Sequence, residues 1–333
     1  IFVKIIDNSY KISREKKTIE IMALTVYKGR SSNVQINILR WRWSMQLKRK
    51  FEAGEFAILA EMEPPKGVDT SRMVANAKRI KDDVDAFLVP EMSNAVMRMS
   101  SLGAAMILQG RGMEAVVQVC CRDRNRLALQ ADLLAAFGCG IPNVMAVTGE
   151  DPSYGDHHQA RPVNDINIFE LLQTIEELQN GRDMAGIELA GSPEFTVGST
   201  ASAGAVGKSP ELELEEMNKK IAVGTQFFIT PPLFDIAAIE PFLKRVDRKK
   251  TIIIPTVLLL KSLGMARYIA RNMKDVDIPD EMIARIRKTP DKVRECIRIA
   301  AELVTTLKRE GFDGVLLATL GWEHKLPEIL NLT

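Results

Sequence analysis

Histidine is scarce. The 333 residues contain three, His157, His158 and His324, none in an HExxH or HxH pattern. That argues against a catalytic metal held by imidazoles, and the adjacent pair, set in a polar loop, reads as surface histidines. Cysteine is sparse too: Cys120, Cys121, Cys139 and Cys296 form no CxxC pair, so a zinc site is not expected. Cys120 and Cys121, neighbours on an apolar strand, must point to opposite faces and read as buried thiols in a reducing, cytoplasmic setting. A redox role for the pair is the minor reading. No GxGxxG fingerprint occurs, so a nicotinamide cofactor would not be held in a Rossmann manner. No apolar run approaches 18 residues, so no membrane span is expected.

The net charge of +2 conceals an asymmetry. Residues 1–44 hold nine Lys/Arg and three acidic residues; the remainder holds 36 and 40. The body is therefore mildly acidic and is not expected to bind nucleic acid. The first 44 residues lack a clear apolar period, and we expect a disordered or artefactual extension, with a targeting or nucleic-acid arm as the alternative. Residues 45–333 are expected to form one domain. With 46% hydrophobic residues the chain can bury a large core.

From residue 56 onward, short β-like runs alternate with amphipathic stretches. The runs cover 56–62, 85–89, 115–120, 143–148, 194–199, 225–230, 251–255 and 313–320; helical patterns cover 71–82, 95–109, 124–137, 167–179, 211–222 and 235–246. Eight such repeats in about 270 residues predict an α/β fold, a (β/α)₈ TIM barrel. Long loops at 149–165 and 200–210 would lie on the catalytic face, and an excursion at 261–310 would cap the barrel. Pro279 and Pro290 fall where helices should start. The methionines of 92–106 recur at helical spacing and read as core packing.

The most telling stretch is 56–67. An apolar run ends in Glu61 and Glu63, and Pro64-Pro65 stops the strand. The two carboxylates share a face at the carboxyl end of a buried strand, where such barrels place their chemistry. Cys121-Arg-Asp-Arg-Asn-Arg126 opens a helix, either as a solvated start capped by Asp123 or as an anion-handling loop. Thr148-Gly-Glu-Asp-Pro152 combines an Asp-Pro turn with a small-residue gap through which backbone could approach a flat ligand. Gly204-Ala-Val-Gly-Lys-Ser209 is like the tail of a phosphate loop, but Ser202 replaces the first glycine, so a nucleotide triphosphatase is disfavoured. Trp322 reads as packing in preference to a stacking platform.

Taken in order, these motifs resemble the methylenetetrahydrofolate reductase family, most of all its short bacterial form without a regulatory domain. The carriers are Glu61-Met-Glu-Pro-Pro-Lys-Gly67, Cys121–Arg126, Thr148–Pro152 with Gly155-Asp-His157, Gly224-Thr-Gln-Phe-Phe-Ile-Thr-Pro-Pro-Leu-Phe-Asp235, Leu260-Lys-Ser-Leu-Gly-Met-Ala-Arg267 and Gly321-Trp-Glu323.

The resemblance implies FAD across the barrel mouth, NADH or NADPH as electron donor, and reduction of 5,10-methylenetetrahydrofolate to 5-methyltetrahydrofolate. It implies Glu61 as general acid. It places the flavin against Gln118, Thr148, Gly149, Glu150, Asp151, Glu213 and Lys220, and the folate against Glu63, Thr230 and Pro231. A homo-oligomer or an electron-donating partner subunit is also implied. Several family positions differ. Glu150 stands for an Asp, Thr148 for an Arg, Glu213 for an Asp, and Pro231 for the glutamine that contacts the pterin. A folate-binding methyl-transfer barrel without redox chemistry, or a partner-dependent subunit of a reductase complex, are the alternatives.

Overall fold

All eight expected strands form: β1 Ala57–Glu61, β2 Ala86–Val89, β3 Ala115–Cys120, β4 Asn143–Val147, β5 Thr196–Thr200, β6 Phe227–Pro232, β7 Ile252–Leu258 and β8 Gly314–Ala318. In the computed structural model, which describes residues 45–203, 209–248, 251–273 and 276–333, they pair in chain order into a closed barrel. Every pairing is parallel, including β1 with β8. The expectation for residues 1–44 lies outside the described residues, as does that for most of the glycine-rich 204–209 segment. No described helix is long and apolar enough to cross a membrane.

Alternation along the strands divides the core in two. Leu59, Leu88, Val116, Cys120, Met145, Phe227, Ile254 and Leu316 pack in the barrel interior. Ala60, Phe87, Val117, Cys121, Val144, Phe228, Ile253 and Leu317 pack outward beneath the helices. Cys120 and Cys121 thus fall on opposite sides, as expected. Burial pushes their thiols up to about 12 and about 11, so neither is poised as a thiolate. Gly198 makes room for the interior: a Cβ there would lie 2.2 Å from the Phe227 ring.

Two expected helices differ, and so does the excursion. The run 95–109 begins helically only at Ser101. Met92, Asn94 and Ala95 adopt left-handed φ values of 49°, 56° and 55°, which cannot propagate a right-handed helix. Met97 and Met106 are exposed, whereas Met99 packs against the outer core as expected. The run 235–246 breaks into a 3₁₀ turn, Ile236–Ala238, and a single turn, Glu240–Leu243, with Pro241 at its start. The excursion holds three helices: Leu263–Asn272, Asp280–Lys288 preceded by Pro279, and Lys292–Arg309 capped by Asp291. The third is an ordinary crossover helix against β7 and β8 and not a cap.

The amino end of the barrel is closed by the helix Gln46–Glu52. Leu47 is fully buried in the interior cluster, and the Phe51 ring lies 5.5 Å from that of Phe227. Glu114 anchors the helix, accepting from the backbone N–H groups of Gln46 (2.6 Å) and Leu47 (3.0 Å) and from Asn143 Nδ2 (2.9 Å). Asp85 accepts from Ile58 N–H at 2.8 Å and from Gln46 Nε2 at 3.1 Å. Leu47→Ala should therefore open a void the strands cannot collapse into, costing about 2–5 kcal/mol in urea unfolding. A loss below about 1 kcal/mol would mean that the helix is not part of the barrel core.

Candidate active site

The carboxyl end of the barrel is built by loops that hold one another. After β1, Pro65 C=O accepts from Met99 N–H at 2.9 Å and Arg98 Nη1 donates to Pro64 C=O at 3.3 Å. Asp156, in the loop after β4, accepts from Met97 N–H at 2.9 Å, contacts His157 Nδ1 at 2.8 Å and pairs with Lys66. These partners hold its carboxyl well below the usual carboxylate range, the Lys66 hydrogen bond foremost. A Cβ on Gly155 would lie 1.8 Å from Ala95 C=O, so glycine is required where the two turns meet. The left-handed turn at 92–95 is clamped from both sides.

Arg122, 3% exposed, is the second hub. It makes paired bonds to Asp123 (2.8 and 2.7 Å) and reaches Glu150 C=O at 3.2 Å and Met92 C=O at 3.5 Å. Asp123 is thus spent on Arg122, and the helix Arg126–Gly138 is capped by Asn125, which accepts from Ala128 N–H. Gly149, at φ 88°, is needed because a Cβ would meet Cys120 Sγ at 2.4 Å and Arg122 Cβ at 2.9 Å. The space on the Cβ side of Gly149 is therefore filled by Cys120 and Arg122.

Glu61 occupies the interior-facing last position of β1. Its carboxyl is raised from 4.5 to about 7, by burial first and then by the like charges of Glu63, Glu323 and Glu150. No described residue hydrogen-bonds to it. Glu63 is paired with Arg98 Nε at 2.9 Å. It is also raised, by burial first, against the pull of Arg98 and Lys261. Glu323, buried in the 3₁₀ turn Glu323–Lys325 after β8, and Lys261, which bonds to Leu320 C=O and lies 5.4 Å from the Trp322 ring, complete the cluster.

The expected flavin residues fall in two groups. Thr148, Glu150 and Asp151 are exposed on the mouth, and Asp151 caps the turn Pro152–Tyr154. Gln118 is on the interior-facing side of β3; its Oε1 accepts from Glu91 N–H at 2.8 Å. Glu213 and Lys220, by contrast, are buried on the helix Pro210–Ala222. Glu213 accepts from Ser202 N–H at 2.5 Å, and Lys220 donates to Thr200 C=O at 2.8 Å and pairs with Glu216 at 2.7 Å. Both hold the end of β5.

Among the expected folate residues, Thr230 and Pro231 sit in an irregularity. β6 pairs Ile229 with Ile254 and Pro232 with Thr256, so three steps oppose two, the count of a β-bulge. The bulge accommodates two prolines in a paired strand and breaks the side-to-side alternation of a regular strand at 230–231. Thr230 is buried, donating to Pro231 C=O at 2.9 Å, while Thr256 donates to Thr230 C=O at 2.7 Å. Gln226, at the amino end of β6, accepts from Val197 N–H at 3.1 Å and is far from the mouth. Arg98 and Glu323 were not expected as site residues. The helical reading of 92–106 hid Arg98, and Glu323 stood inside a motif without a signal that separated it from packing.

A family model described as methylenetetrahydrofolate reductase matches residues 46–333. Among curated proteins, methylenetetrahydrofolate reductase 2 of Schizosaccharomyces pombe is 22% identical over 218 residues, covering 64% of this chain and 33% of that protein. The chain thus spans about a third of that relative's length. An uncharacterized protein from Clostridium thermocellum, described as binding two copies of 5-methyl-5,6,7,8-tetrahydrofolic acid, superposes with a TM-score of 0.52 at 14% identity. The match covers 86% of this chain and 96% of that one. EDTA monooxygenase (EmoA) from Chelativorans sp. BNC1 gives 0.51 at 11%, covering 83% and 93%. At these identities the two structures support the fold alone.

Glu61 carries a stability consequence. The folded state binds its proton more tightly than the unfolded chain, so the group costs nothing below about 4.5 and destabilises progressively as pH rises through about 7. Glu61→Gln should match the wild type in urea unfolding at pH 4 and exceed it at pH 8.5 by up to about 3 kcal/mol. Equal stability of the two proteins at both pH values would show that Glu61 titrates normally.

Proposed function

The chain belongs to the methylenetetrahydrofolate reductase family, and from that premise we propose that it reduces 5,10-methylenetetrahydrofolate to 5-methyltetrahydrofolate in one-carbon metabolism. The observation that carries this reading is Glu61, a carboxyl raised to about 7 at the barrel mouth and unbonded to any described residue. A group so placed is still partly protonated at neutral pH and free to give its proton away. It would pass that proton to the folate nitrogen whose bond to the methylene carbon breaks, and become a carboxylate. The methylene carbon then accepts hydride, giving the methyl group.

Bound FAD would supply that hydride, replenished by NADH, NADPH or an electron-donating partner subunit. The residues at the mouth suit such a group. Thr148, Glu150 and Asp151 are exposed along its rim, and the Gln118 side chain accepts through Oε1 while its amide N–H groups donate to no described residue. Glu213 and Lys220, already engaged with the end of β5, would act by holding that backbone in place. Glu63 is held by Arg98 on the side of β2, where it would border the folate. With proline at 231, a pterin hydrogen bond from that position is lost, and the folate must be held from elsewhere on the mouth.

The purified protein should be yellow. Glu61→Gln should keep fold and flavin and lower folate reduction by about 10² or more, while anaerobic reduction of the flavin by its donor survives. Folate turnover within a few-fold of wild type would remove Glu61 from the role and leave Glu63 to be tested. A colourless protein that still binds reduced folate would favour methyl transfer without redox chemistry.

A further inference from the structure

Polar groups are unevenly shared around the mouth. On the β6 side, Pro231 and Pro232 have neither an N–H nor a polar side chain. Thr230 spends its hydroxyl proton on Pro231 C=O, and Thr256 of β7 spends its own on Thr230 C=O. On the β1 side, Arg98 Nε lies 2.9 Å from Glu63 Oε1. That nitrogen is buried and off the line of a hydrogen bond, so the two groups attract as charges and keep most of their bonding capacity. Glu63 Oε2 accepts from no described residue, and Arg98 Nη2 donates to none. The side chains are 19% and 25% exposed respectively, sunk in the mouth and still reachable.

The pair is fixed before any ligand arrives. The segment after β1 and the turn after β2 are laced together at successive positions. Arg98 Nη1 donates to Pro64 C=O at 3.3 Å, Met99 N–H to Pro65 C=O at 2.9 Å, and Asp156 joins Lys66 to Met97 N–H. Glu63 and Arg98 begin this lacing, two residues beyond Glu61. Gly321, in the turn after β8, borders the free oxygen: a Cβ there would stand 3.7 Å from Oε2. Side chains held this firmly give up little freedom on binding a ligand.

We propose that Glu63 and Arg98 together hold the pterin edge of the folate, in place of the glutamine side chain that Pro231 cannot supply. This rests on the proposed folate chemistry and names the groups that orient that substrate. A pterin edge presents one acceptor, the C4 carbonyl, beside two donors, N3–H and the 2-amino group. Arg98 and Glu63 carry the complementary set. Nη2 is the donor, and both carboxylate oxygens are acceptors, because Oε1 keeps a second lone pair. Carboxylate and guanidinium groups are suited to such planar recognition at several points, and a bond to an ionised group is stronger than one between neutral partners.

The test measures binding and not turnover, so that the acid step does not enter. The full chain is titrated calorimetrically with 5-methyltetrahydrofolate and with its 2-desamino analogue. The wild type should prefer the parent compound by about 10-fold or more. Glu63→Gln, which has one acceptor for two donors, should weaken the parent by about 10- to 100-fold and erase that preference. Arg98→Met should weaken both compounds alike, since the amino group is not its partner. An equal loss for both compounds in Glu63→Gln would overturn the assignment, because the pair would then be only a tie between loops. Affinities within about three-fold of the wild type in both variants would overturn it as well. A wild type that binds neither compound would instead refute the folate reading itself, and the assignment with it.

Discussion

The structure turns on one electrostatic constraint: a carboxyl placed at the interior-facing end of a barrel strand, with three more carboxylates around it and no hydrogen-bond donor among the described residues. Removing such a group from water disfavours its charge, and neighbours of like sign add to the penalty. Proteins usually avoid this with a bonded partner. Here partners go to the neighbours instead: Arg98 to Glu63 and Arg122 to Glu150. Glu61 is left to answer the strain by keeping its proton. The arrangement costs stability above neutral pH, as functional sites commonly do.

Such a cluster keeps its geometry only on a stiff base. The loops after β1, β2 and β4 are bonded to one another through Pro65, Asp156 and Arg122, and two glycines at 149 and 155 let backbones approach more closely than any Cβ would permit. The left-handed residues at 92–95 are tolerated because this network over-determines them. Several of the residues that carry the family resemblance, Gly155, Asp156 and Arg122 among them, therefore work as mortar between loops.

The barrel was legible because its signal is periodic and repeated: each strand's alternation recurs in the division between Cys120 and Cys121 or between Phe227 and Phe228. Glu61 was legible because an apolar run that ends in charge and then in two prolines leaves few structural reasons for the charge. What stayed hidden depends on contacts remote in sequence. The helix seen in 95–109 was a fair inference from spacing, and it failed because Gly155 and Arg122, 60 and 27 positions from residue 95, hold the first part of it in a left-handed turn. Alternation failed at Pro231 because a bulge adds one residue and reverses which side faces inward. Asn125 displaced Asp123 as the helix cap because a buried arginine claimed the aspartate first.

Glu114 shows why a raised carboxyl is not by itself a site. Burial also lifts it to about 7, against three donors that favour its charged form. Those donors, two backbone N–H groups of the helix Gln46–Glu52 and the Asn143 amide, account for its place: it fastens the floor of the barrel. Glu61 has the same shift with no structural partner, and it faces the open end. The difference between the two lies in what each carboxyl is bonded to and which end of the barrel it occupies. By that standard Glu114 explains itself as structure, and Glu61 has no such structural account among the described residues.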